Sequence, residues 1–378
     1  MKVRIINRYQ NFDATVYKLN TPFFIIIVLF LALNVTSVNV QALIMMLCSM
    51  YTIMMWFKKK SIDSLVTLFL LLAFTIAIWT ITSEYQISSY NFISEFKILI
   101  LFTLPSFFYF LLDGLPAKKM LIAFFKWYVV LVLSVIIYGY VTEGVFRNTG
   151  FLGFSIYISV SQVLFLSYLY SETTLTWKIL TFISVFMLGS SNGILVFFLL
   201  VFMKAALPIW MKIVPGSLGA VITYWYITVF RGRVLAEGGI WSVDRVMIFT
   251  SVLRYTREHF SLLNYLFGFG IGTPLVGFRI IPHVKSDVAN GFINWFMSLN
   301  QMGVFPFAFH NEFLRIFYNF GSIGLILILI YLYHNLDRIT FTLLLLACLT
   351  NTIIYSTIGL FTLGFLMGVF LLEKKERA

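Results

Sequence analysis

Charge is what this chain has least of. Asp, Glu, Lys and Arg make up 11% of its 378 residues against 60% hydrophobic ones, and the mean hydropathy is +0.94. Soluble domains carry about a quarter charged residues, so the deficit excludes an ordinary water-soluble fold and points to an integral membrane protein. Cysteine is scarce too. Cys48 and Cys348 both fall inside apolar runs and read as small buried hydrophobes rather than a disulfide. There are four histidines, with no Cys/His spacing of a metal site, and the long polar connection of the chain has no Asp-x-Asp pair. No metal or other cofactor is expected.

Acidic residues are the scarcer sign. The 27 basic against 15 acidic side chains give a net charge of +12. Most of the basic ones sit in short connections between apolar runs, where they act as topology signals, so nucleic acid is not an expected partner.

Apolar runs are what the chain has in abundance. A span takes roughly 20 apolar residues, and twelve candidates occur near 20–36, 40–57, 62–82, 93–112, 119–140, 152–170, 174–189, 191–207, 213–230, 313–334, 338–354 and 357–372. The expected fold class is an all-α integral membrane protein of about twelve transmembrane helices with one large, partly helical loop. Val40–Ala42 has the look of a signal-peptidase site, but another span starts at once, so the first helix is expected to stay uncleaved. Lysine clusters alternate with connections nearly free of lysine. Lys58–Lys60, Lys118–Lys119 and Lys374–Lys375 fall on one side, whereas 34–41 has no charge and 83–95 carries only Glu84 and Glu95. That alternation predicts cytoplasmic termini.

One connection breaks the rule of short turns. It divides the chain into an N-terminal bundle (1–230, about nine helices), a loop of about 80 residues (231–312) placed on the non-cytoplasmic side, and a C-terminal part (313–378, about three helices). Loops of this length are usually functional. This one holds three of the four histidines, predicted amphipathic helices at about 242–260 and 288–302, and a Gly-rich joint, "FGFGIGTPLVG". No internal repeat and no soluble domain stand out.

At the end of the loop the sequence reads "FAFHNEFLRIFYNFGSIG", Phe307 to Gly324. Read as a helix with Pro306 in its first turn, it places His310, Leu314, Phe317, Gly321 and Gly324 on one face. On spacing alone this suits an interfacial helix whose glycines let another helix pack closely. The pattern His310, Asn311, nine residues, Gly321, two residues, Gly324 resembles the His-Asn-x9-Gly-x-x-Gly motif of the O-antigen ligase and Wzy-type O-antigen polymerase superfamily, and it occupies that family's place, between a large periplasmic loop and a late span.

Three further stretches are similar to the family. "DRVMIFTSVLRYTREHFSLLNYLFGFGIG" puts Arg245 in the position of a substrate-phosphate arginine and Gly268, Gly270 and Gly272 in a Gly-x-Gly turn. "FRNTGF" puts Arg147, and "SEFKILILF" puts Lys97, where relatives are basic. A fourth stretch departs from the pattern: "GSSNGILVF" has Asn192 where members often carry arginine. Arg254, Arg257 and Glu258 are expected to form a solvated helix face, and His259 and His283 to be plain loop residues.

The resemblance implies a glycosyltransferase of the bacterial inner (cytoplasmic) membrane that needs neither metal nor nucleotide sugar and inverts the anomeric centre. The donor would be an oligosaccharide on undecaprenyl diphosphate, held by Arg245, Arg147 and Lys97 with Asn192. His310 would be the catalytic residue on the acceptor hydroxyl, supported by Asn311 and Glu312. Membrane lipid, a chain-length regulator and a flippase are the implied partners. Polymerisation of surface-polysaccharide repeat units is the preferred activity. Transfer to lipid A core by a ligase, and transport of lipid-linked sugars, are the alternatives. The loop has seven basic and five acidic residues, a modest balance that favours the polymerase. Transporters tend to show repeated halves, which this sequence lacks.

Overall fold

The computed structural model describes residues 21–34, 38–59, 97–98, 100–144, 155–204, 208, 217, 221, 244–271, 278, 311–349, 351 and 353–377. All regular elements among them are helices. They are α1 Thr21–Asn34, α2 Val38–Lys59, α3 Leu104–Leu112, α4 Ala117–Glu143, α5 Ser155–Tyr168 and α6 Leu175–Met187. There follow α7 Ser191–Lys204, α8 Asp244–His259, α9 Leu262–Phe267, α10 Glu312–Asn335, α11 Arg338–Cys348 and α12 Thr357–Arg377. Three of these, α4, α10 and α12, are long and apolar enough to cross a membrane.

Most apolar runs coincide with a helix. The run at 93–112 differs: it turns at 101–103 and resumes as α3, with Pro105 in the first turn, where its missing N–H costs nothing. The reversal between α6 and α7 is made by Gly189 at φ 62°. The run at 62–82, all but two residues of 213–230, and the predicted helix at 288–302 lie outside the described residues.

The core is built round α12, which packs on α3, α4, α5 and α10. Gly364 and Gly368 face α3, and a Cβ there would sit 2.7 Å from Leu104 Cβ and 2.6 Å from Phe108 Cβ. Small residues let the two backbones approach closely. Beside them Phe30, Phe124, Phe165, Phe361 and Phe365 form an aromatic cluster dominated by edge-to-face and tilted contacts, such as Phe30–Phe361 at 5.2 Å. Both cysteines are buried and free. A smaller core joins the long connection to the bundle: Met247, Ile248, Val252 and Tyr255 of α8 pack with Leu314 and Tyr318 of α10.

Two features of α10 correct the expected continuous helix. Asn311 is extended (φ −140°, ψ 117°), and its side chain accepts the Leu314 N–H at 3.0 Å, so Asn311 is the cap and the helix starts at Glu312. Pro306 and His310 lie outside the described residues. Gly321 stands at φ 66°, ψ −170° and kinks the helix. The single face through Leu314, Phe317, Gly321 and Gly324 is therefore broken. Gly324 makes room for Phe320 of its own helix rather than for a neighbouring one.

Candidate functional site

The motif end of the bundle, where α10 and α12 begin, is organised by the turn between α11 and α12. Glu312 is fully buried, and its carboxylate accepts the N–H groups of Ile354 (2.8 Å) and Tyr355 (3.3 Å). Arg315, one turn on, is 4% exposed and lays its guanidinium 3.7 Å over the Tyr355 ring. Asn319, a further turn on, donates its amide to the Tyr355 hydroxyl at 3.1 Å. Spacings of three and four put these three side chains on one helical face, and all three address Tyr355: its amide, its ring and its hydroxyl. Burying charged groups is costly without such partners.

Two asparagines hold the other side of the same turn. Asn311 donates to the Leu349 carbonyl at 2.8 Å, and Asn192, at the start of α7, to the Ala347 carbonyl at 3.4 Å. Those acceptors lie in and just after the last turn of α11, where carbonyls lack helical partners. Lys97 is 8% exposed and donates to Gln41 Oε1 at 3.3 Å, and the same oxygen accepts the Thr357 hydroxyl at 3.0 Å. Lys97, Asn192, Asn311 and Glu312, distant in sequence, thus gather round residues 347–357. Glu312 and Asn311 both bond backbone of this turn, which they hold against the head of α10. Arg315 joins Lys97 as a second buried cation that sequence reasoning left out of the site. Its signal was available: an arginine three residues past a carboxylate at the head of an apolar run.

The glycines of the two motifs meet each other. The kink at Gly321 removes helical partners from nearby carbonyls, and the loop supplies replacements: Phe269 N–H donates to Tyr318 O (2.8 Å) and Gly270 N–H to Asn319 O (3.2 Å). Contact is at backbone distance on both sides. A Cβ on Gly268 would lie 2.5 Å from the Asn319 carbonyl, and one on Gly321 would collide with the Leu266 carbonyl. Gly268 (φ 79°) and Gly270 (φ 94°) also hold left-handed backbone. The long connection is therefore stitched to α10 at the kink, beside the Asn319–Tyr355 contact.

Arg245 is the second residue of α8, the helix that packs on α10. Arg254 and Glu258 form an exposed ion pair at 2.8 Å, and His259 stacks on Tyr255 at 4.2 Å. His310, Arg147, Gly272 and His283 lie outside the described residues. Comparison with protein-family models, with curated proteins and with solved structures finds no match for this chain.

Proposed function

We propose that the chain is a membrane polymerase of lipid-linked oligosaccharide repeat units, working at the outer face of a bacterial cytoplasmic membrane through about twelve spans, with both termini in the cytoplasm. The observation that carries this reading is convergence. The described charged residues that are buried are Lys97, Glu312 and Arg315, and all three belong to the motif end, where the long connection is attached and Asn311 caps α10.

The reaction is a displacement at the donor's anomeric carbon. A hydroxyl of the terminal sugar of one repeat unit attacks, the bond from that carbon to the diphosphate oxygen breaks, and the anomeric configuration inverts. His310 takes the hydroxyl proton, as imidazole does near neutral pH. Undecaprenyl diphosphate departs with the bonding pair, and fixed cations stabilise the growing charge. Lys97, Arg147 and Arg245 are the assigned phosphate ligands. Asn311 and Glu312, next to His310 in sequence, fix the head of α10 against the 347–357 turn, and Asn192 braces the same turn.

A deletion strain tests this. Loss of the polymerase leaves single repeat units on the surface lipid, and His310→Ala, expressed at wild-type level, fails to restore long chains. Bare core with long glycan stranded on its carrier would identify a ligase instead. Repeat units held at the cytoplasmic face would identify a transporter.

A further inference from the structure

The six residues of α9 read Leu-Leu-Asn-Tyr-Leu-Phe, and none is buried. Leu262 is 76% exposed and Leu263 56%, with Tyr265 and Phe267 also exposed. The neighbouring helix continues the surface, because Phe249 and Leu253 of α8, four residues apart on one face, are exposed as well. Such a surface is uncommon on a protein bathed in water.

Its place in the fold names the partner. Phe260 stacks on Phe317 (5.6 Å), Tyr265 lies against the same ring (6.1 Å), and the Gly268–Gly270 stitch follows at residues 318–321 of α10. Those contacts fall five to nine residues beyond Glu312, about 8–14 Å along a helix long enough to span a bilayer. Amphipathic elements bury their apolar face about 5–10 Å into the boundary between headgroups and acyl chains, and α9 lies against the part of α10 nearest its first residue. Exposed Arg257 sits beside Leu253 on α8, where a long side chain reaches to phosphate while its stem stays among apolar groups.

We propose that α9 and the Phe249–Leu253 stripe of α8 form an interfacial element whose apolar side chains contact lipid acyl chains, with Arg257 at the headgroups. The proposal rests on the chain spanning a membrane and not on the transfer reaction, so a protein inactive in glycan transfer would still show it.

The test places an environment-sensitive fluorophore on Leu263→Cys in the full chain, reconstituted in phosphatidylcholine–phosphatidylglycerol nanodiscs. The native cysteines are buried, so the added thiol takes the label. Doxyl-labelled lipid should quench the probe, more strongly with the label at the fifth acyl carbon than at the twelfth, and aqueous iodide should not. The same probe on Glu258→Cys should respond to iodide. If doxyl lipid does not quench at Leu263, the surface faces water (iodide quenching) or protein (no quenching), and either result overturns the proposal. Leu262→Cys is the second position should the first variant fold poorly.

Discussion

The two ends of the helical bundle use charge in opposite ways. At the motif end Glu312 and Arg315 are buried, and both are held by the turn at 347–357: Glu312 by the Ile354 and Tyr355 amides, Arg315 by the Tyr355 ring. At the tail end, where α12 finishes, the charges are half-exposed and pair with one another. Lys118 bridges Glu172 (2.8 Å) and Glu373 (3.3 Å), and Lys375 meets Asp113 (3.0 Å). A cleft there of about 540 Å³ is lined by Lys118, Lys119 and Arg377 and by Glu172, Glu373 and Glu376, equal numbers of each sign. Solvent screens the second arrangement, so its bonds are weak and replaceable. The first has no solvent to fall back on, and breaking any part of it strands another.

Removing Glu312 should have the largest effect. Glu312→Ala leaves the buried amides of Ile354 and Tyr355 without their acceptor, at about 1–3 kcal/mol each. Thermal unfolding in detergent should show a large loss, partly recovered by Glu312→Gln, which keeps one acceptor oxygen. An unchanged melting temperature in Glu312→Ala would erase the contrast between the ends.

Gly321→Ala comes next. It forces a side chain into backbone at φ 66°, ψ −170°, a region essentially confined to glycine, at about 1–3 kcal/mol, and drives a methyl into the Leu266 carbonyl. Hydrogen exchange at Phe269 and Gly270 should rise together with the loss of stability, because their acceptors are on the displaced α10 segment.

Tyr355→Phe is a finer cut. It removes the bond from Asn319 while keeping the ring under Arg315, and should cost about 1 kcal/mol. A loss as large as that of Glu312→Ala would mean that the hydroxyl, not the backbone of the turn, holds the motif end.

The smallest effect belongs to Lys118→Ala, under about 1 kcal/mol and shrinking further in high salt. It also has a pH signature. Partial burial works to raise the Glu172 carboxyl, but the hydrogen bond from Lys118, with those from Ser171 and the backbone and the Lys118 charge, holds the group below its ordinary value of 4.5. A depressed folded value means that the contribution is fully present above that ordinary value and disappears as pH falls through it and below. The gap between wild type and Lys118→Ala should therefore close in acid and persist at neutral pH.

Composition and run length were enough to predict helices and to place most of them, because a bilayer core demands about 20 apolar residues and helical backbone satisfies itself. They also placed the buried cysteines and the solvated face of Arg254 and Glu258. Motif spacing selected Asn311, Glu312 and the glycines, yet gave the wrong local geometry: a continuous helix where the chain has a cap at Asn311 and a kink at Gly321. The kink needs N–H donors from the loop some 50 residues earlier in the chain for the carbonyls it frees, and no short window of sequence contains both. Tyr355 carried no local signal at all, being one aromatic among 20 tyrosines and 42 phenylalanines. Only the packing of α10 against the α11–α12 turn brings Glu312, Arg315 and Asn319 onto it, since the burial that makes those three bonds strong exists only once the helices have met.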